Sequence, residues 1–279
     1  MNRGKGSGGR NQRSGVIDQR SEIGNQGKIL NNIIDIENLS HRFADGTVGL
    51  DNINLSISQG SFVVIAGPNG SGKTTLLKHL NGLLLPTKGV VKLSGVSVAK
   101  NLTRSRQMVG MVFQDADSQI VGETVSDDVA FGPENLCLDR AEVKRRVARA
   151  LETVGLHHHK DQKPHLLSGG EKRRLAIAGI LAMDPKVLVF DEPFSSLDYP
   201  GVKQILAQMI SLHRAGHTIL VAAHDLEMLV AHADRLVIMQ DGGIVRDGLP
   251  SQLLGELETF GIREPCASRW GKEVHSWLN

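Results

Sequence analysis

Gly67-Pro68-Asn69-Gly70-Ser71-Gly72-Lys73-Thr74-Thr75 follows the apolar run Phe62-Val63-Val64-Ile65-Ala66 and precedes a segment with Leu76, Leu77 and Leu80 at helical spacing. Strand, glycine-rich turn and helix, in that order, form the setting of a phosphate-binding loop. Phosphate oxygens need several N–H donors at close range, and Gly67, Gly70 and Gly72 let the backbone curl tightly enough to present them. The dipole of a helix starting near Lys73 adds positive potential at the same point. In this pattern Lys73 reaches the β- and γ-phosphates and the Thr74 hydroxyl ligates Mg²⁺. The stretch predicts binding of a nucleoside triphosphate.

Working outward, the chain alternates strand and helix signals. Lys186-Val187-Leu188-Val189-Phe190 reads as a buried strand ending in Asp191-Glu192-Pro193. A carboxylate at the C-terminal edge of a parallel strand points into the ligand crevice. That position suits Asp191 to the Mg²⁺ shell and Glu192 to polarising a water. A further buried-type strand, Thr218-Ile219-Leu220-Val221-Ala222-Ala223, delivers His224, and Met108-Val109-Gly110-Met111-Val112-Phe113 delivers Gln114. Leu167-Ser168-Gly169-Gly170-Glu171 opens a helix expected from Lys172 to about Met183, and its start is a second anion-binding N-terminus.

This alternation predicts an α/β fold, a P-loop core around a mostly parallel sheet. Strand signals around Ile33, Ile36, Ile53 and Ile57, before the loop, predict an antiparallel β subdomain. Asp241-Gly242 sits between two short apolar runs and predicts a hairpin. From Thr124 to about Leu156 the pattern is helical, with Val143, Val147, Leu151 and Val154 on one face. A second helix is expected from Val202 to His213. The expected organisation is a disordered basic tail over residues 1–32, a nucleotide-binding domain over 33–250 with a helical lobe at about 115–180, and a small appendage over 251–279.

Bulk properties narrow the partners. A formal net charge of +2 gives little global attraction for nucleic acid. The tail is basic, with six Lys and Arg against Asp18 and Glu22, and too poor in apolar residues to offset its ordering entropy. Cys137 and Cys266 lie far apart without ligand spacing, as expected in a reducing compartment. No apolar run approaches the roughly 18 residues that span a bilayer, so a membrane role has to come through a partner. The run His157-His158-His159, with His165 nearby, reads as a solvated helix end, the alternative being a metal site.

Over about residues 33–250 the sequence resembles the ATP-binding-cassette (ABC) ATPases. Residues 67–75 match the Walker A motif, Val187 to Glu192 the Walker B, and Gln114 the Q-loop glutamine. Leu167 to Glu171 match the family signature, Ser196-Leu197-Asp198 the D-loop, and His224 the switch histidine. Phe43 falls where the family stacks an aromatic ring on adenine. The resemblance implies two subunits packed head to tail around two ATP molecules. Ser168, Gly169 and Gly170 then contact the γ-phosphate held by a second ABC ATPase subunit, the same chain or a paralogue. His224 contacts the γ-phosphate, Gln114 approaches Mg²⁺ and senses a membrane partner, and Asp198 shapes the dimer interface.

Residues 112–133, Val112-Phe113-Gln114-Asp115-Ala116-Asp117-Ser118-Gln119-Ile120 and Thr124 through Pro133, look like the energy-coupling-factor branch of that family. Ala116 stands where those relatives usually have proline. The resemblance implies a peripheral ATPase at the cytoplasmic face of the membrane that drives a transmembrane coupling protein and a substrate-binding membrane protein. The cargo is then a micronutrient, a transition metal ion such as cobalt or nickel, or a vitamin such as biotin. A soluble ABC-type ATPase acting on nucleic acid or ribosomes is the alternative. Those relatives commonly carry two cassettes or a long coiled-coil insertion, and this chain shows neither, so no nucleic acid partner is expected.

Overall fold

In the computed structural model, which describes Met1 and residues 31–278, the run Phe62–Ala66 (β3) is buried along its whole length. Its side chains alternate between two apolar layers. Phe62, Val64 and Ala66 join the cluster beneath the helical lobe, and Val63 and Ile65 join the cluster on the opposite face. A strand with no wet face reads as a continuous apolar run, as it does here.

The strand lies inside a six-stranded sheet. Thr218–Ala223 (β8) and Arg235–Gln240 (β9) pair with it in parallel, one on each side. Beyond β8 come Val187–Asp191 (β7) and Val109–Val112 (β6), also parallel. Beyond β9, Gly243–Gly248 (β10) closes the expected hairpin and runs antiparallel. The C-terminal ends of β3, β7, β8 and β6 therefore open on one edge, which gathers the loops starting at Gly67, Glu192, His224 and Phe113.

A second sheet holds Asn32–Arg42 (β1), Val48–Ser58 (β2), Lys88–Leu93 (β4) and Val96–Ser97 (β5), all antiparallel in the order β2-β1-β4-β5. Its apolar face and the helix Lys73–Leu80 (α1) complete the cluster around Val63 and Ile65. After Leu102–Met108 (α2), the lobe comprises Val125–Asn135 (α3), Arg140–Thr153 (α4) and Gly169–Leu181 (α5). Tyr199–Arg214 (α6) covers the same sheet face, and Pro250–Leu253 (α7) and Cys266–Arg269 (α8) lie near the chain end.

Several expected boundaries move for local reasons. The continuous helical stretch from Thr124 to Leu156 is two helices. Cys137 turns left-handed, at φ 55°, and Asp139 then caps α4 by accepting from the N–H groups of Ala141 and Glu142. Helix α5 begins three residues before the expected Lys172, because Ser168 and Glu171 form a reciprocal capping box. Helix α6 likewise starts at Tyr199 because Asp198 accepts from Gly201 N–H. The expected basic tail, apart from Met1 and residues 31 and 32, lies outside the described residues. Both cysteines are free and exposed.

Candidate nucleotide site

Helix α1 begins at Lys73, so the N–H groups of Lys73, Thr74 and Thr75 have no intrahelical acceptors, and all three residues line the cavity at the sheet edge. That cavity, about 450 Å³, is lined by Asn69 through Thr75 on one side and by Gln114, Glu192 and His224 on another. Phe43, Thr47, Val48 and Gly49 form its outer wall. The turn itself has no room for side chains. A Cβ on Gly67 would sit 2.3 Å from the Met239 carbonyl, and Gly72 has φ 99° with the Gly49 carbonyl 2.8 Å from a Cβ position.

Lys73, only 6% exposed, donates from Nζ to the carbonyls of Gly67 (2.7 Å) and Pro68 (3.1 Å) and lies 3.9 Å from Glu192 Oε1. The ammonium thus folds back over its own loop. Burial pushes its pKa down, opposed by the charges of Glu192 and Asp191. Thr74 Oγ1 donates to Asp191 Oδ1 at 3.0 Å, joining α1 to the end of β7. Burial pushes the Asp191 carboxyl up. The Thr74 hydrogen bond draws it back down, and Glu192 adds to the rise. Glu192 stands just past β7 with a left-handed backbone (φ 48°), and its Oε2 accepts from His224 Nδ1 at 2.9 Å.

Mg²⁺ fits this donor set. The Thr74 hydroxyl and Asp191 carboxylate supply hard oxygen ligands one hydrogen bond apart, which suits a small divalent cation better than a soft metal. Two carboxylates surround one ammonium, so the pocket floor carries an excess of negative charge that a cation offsets. Ser71 Oγ, in the cavity wall, is buried without a hydrogen-bond partner among the described residues.

Phe43 is 39% exposed, and its ring meets His41 edge-on at 4.7 Å between centroids. Gly49 is the residue that lets this ring lie against the wall, since a Cβ there would meet the Phe43 ring at 2.6 Å. His79, buried in α1, backs the same corner: its Nδ1 donates to the Thr75 carbonyl at 2.7 Å and its Nε2 lies 3.2 Å from His41 Nδ1.

Ser168, Gly169 and Gly170 do not join this cavity. Gly169 lines a separate one, also about 450 Å³, with Gln114, Lys172, Arg173 and the loop from Ser195 to Leu197. Ser168 spends its hydroxyl on Glu171 Oε2 (2.7 Å). Gln114 is the residue that borders both cavities.

Three residues outside the sequence-based set hold this architecture. Arg173, buried in α5, donates to the carbonyls of Phe113 and Ser195, both at 3.2 Å, and so staples the loop after β6 to the loop after β7. Gln119 accepts from Phe113 N–H (2.7 Å) and donates to the Met111 carbonyl (3.0 Å). The Asp128 carboxylate accepts from the N–H groups of Val121 and Gly122. A buried arginine inside a Lys-Arg-Arg run carries no sequence signal that separates it from solvated neighbours. His157–His159 form a 3-10 turn in which His159 donates to Gln162 Oε1 and approaches Glu171 at 3.6 Å, and no metal-holding cluster occurs among the described residues.

The family model for the ABC transporter matches residues 50–195. The chain is 44% identical over 231 residues to the energy-coupling factor transporter ATP-binding protein EcfA of Methanocaldococcus jannaschii, covering 82% of this chain and 83% of that protein. It is 46% identical over 237 residues to EcfA of Methanosarcina acetivorans, covering 84% and 86%. Among solved structures it resembles cbiO1 from Clostridium perfringens, described as part of the ABC transporter complex cbiONQ. The TM-score there is 0.75 at 37% identity, over 82% of this chain and 93% of that one.

Proposed function

The chain belongs to the ABC transporter family, among the ATP-binding proteins of energy-coupling factor transporters, and from that premise we propose that it forms half of a two-subunit motor for micronutrient import. Its activity is ATP hydrolysis coupled to transport. No helix among the described residues is long and apolar enough to cross a membrane.

One observation carries the two-subunit reading. None of the signature residues lines the phosphate-loop cavity of its own chain, and Gly169 lines a separate one. Ser168, Gly169 and Gly170 therefore serve the triphosphate held by a second ATPase subunit. In each half, the loop N–H groups and Lys73 bind the β- and γ-phosphates, and Lys73 exchanges the Gly67 and Pro68 carbonyls for phosphate oxygens. Phe43 stacks on the adenine. Thr74 and Asp191, with Gln114 approaching, hold Mg²⁺, which supplies charge neutralisation on the phosphates. Glu192 accepts a proton from the attacking water and is oriented by His224, whose Nδ1–H already faces it.

The loop from Gln114 to Gly122, pinned by Gln119 and Asp128, conveys closure to a transmembrane coupling protein, with a small substrate-binding membrane protein as its companion. A transition metal ion or a vitamin is the cargo class. The relative whose complex is named cbiONQ supports assembly with membrane components.

The test is Glu192→Gln. With ATP and Mg²⁺ the variant should elute as a dimer by light scattering and hydrolyse about a thousandfold more slowly. A monomer despite bound ATP contradicts a composite site built from two copies of this chain and leaves a paralogue as the second subunit, and wild-type turnover removes Glu192 from the proton-accepting role. Purification from detergent-solubilised membranes should recover integral membrane proteins; RNA or ribosomes in their place overturn the transport assembly.

A further inference from the structure

Two loops leave neighbouring strands at the sheet edge, one after β7 with Glu192 and Asp198, the other after β8 with His224. We propose that the C-terminal segment, residues 262–278, braces both loops and so sets the Glu192–His224 geometry. The inference rests on the roles given to these residues above.

The loop after β7 needs external support. Glu192 (φ 48°) and Ser196 (φ 62°) both adopt left-handed backbone, which non-glycine residues keep only where their surroundings over-determine it. From the inside, Arg173 holds the Ser195 carbonyl. From the outside, Tyr199 directly follows Asp198, and its ring lies 5.7 Å from that of Trp277, inclined by 49°. Trp277, with Val274 and Leu278, packs against the core beneath the lobe.

The loop after β8 has its own tie. Asp225 accepts from Glu227 N–H at 2.9 Å, and Glu227 Oε2 accepts from the backbone N–H of Cys266 at 2.8 Å. Leu257 and Ile262, both buried in the same core, anchor the chain just before this contact. One anchored segment thus touches the first residue of α6, where the loop after β7 ends, and the loop after β8, through an aromatic contact and a charge-assisted hydrogen bond. Neither contact touches the phosphate loop or Phe43. Loss of the brace therefore acts on turnover and spares nucleotide binding.

The experiment compares Trp277→Ala, Trp277→Phe, Glu227→Ala and Glu192→Gln in the full chain, measuring steady-state hydrolysis, nucleotide affinity and Tm. Trp277→Ala and Glu227→Ala should each lower kcat about fivefold while KM for ATP stays within about twofold, and Trp277→Phe should restore kcat. An unchanged or raised kcat in both alanine variants overturns the brace. So does a loss of kcat, affinity and Tm together, which marks a merely structural contact. If Glu192→Gln is inactive while both alanine variants turn over normally, the brace alone fails. If Glu192→Gln keeps wild-type turnover, the hydrolysis reading beneath it fails.

Discussion

Gly67 and Gly169 both belong to glycine motifs at helix starts, yet their surroundings differ. A Cβ on Gly67 would meet the Met239 carbonyl at 2.3 Å and Ser71 Oγ at 2.6 Å. A Cβ on Gly169 would meet nothing within 4 Å. The first glycine is required by packing within its own chain. The second satisfies no packing need among the described residues, and in the proposed two-subunit arrangement the reason for it lies in what approaches that surface. One half of the site is internally complete, with Lys73, Thr74, Asp191 and Glu192 already bonded to one another or to the loop. The other half is an open face.

The contrast breaks most readily at Gly169. Gly169→Asp should leave Tm within about 1 °C, since surface changes away from packed features cost little. The added carboxylate should repel a partner-held phosphate and lower turnover on the order of a hundredfold. An unfolded variant, or an active one, would erase the distinction. Gly67→Ala should show the opposite pattern: a loss of about 3 kcal/mol of stability by chemical denaturation, because the obstructing atom is backbone and cannot swing aside. A wild-type midpoint would mean that the loop is looser than its contacts indicate.

The smallest effect concerns acid. His79 is buried in the complete half, and burial holds its pKa below the ordinary 6.5. The unfolded chain therefore takes up a proton there at a higher pH than the folded chain. The stability contribution is whole above that ordinary value and is lost as pH falls through it. Tm scanned from about pH 8 to pH 5 should fall, and His79→Gln should flatten the slope. Identical slopes would assign the acid sensitivity elsewhere.

Features carried by contiguous residues were legible in the sequence. The strand Phe62–Ala66, the glycine turn after it and the carboxylates at the end of β7 and just past it are each encoded within a few residues, and the hairpin at Asp241-Gly242 is equally local. Features made by distant residues were not legible. Gly49 beneath the Phe43 ring, Arg173 between Phe113 and Ser195, and Glu227 beneath Cys266 exist only once the chain is folded. The break at Cys137 was hidden for another reason. The apolar face of α4 continues the helical period of α3 closely enough that only the left-handed residue and the Asp139 cap separate them.

The left-handed backbone at Glu192 has an evolutionary consequence. An L-residue with a long side chain holds that conformation at a cost of about 1 kcal/mol or more, which glycine would avoid. Selection for foldability alone would therefore drift away from the carboxylate, and a library screened only for thermal resistance should discard it early. Glu192 is a position where the residue that suits the backbone and the residue that suits the proposed reaction are different amino acids.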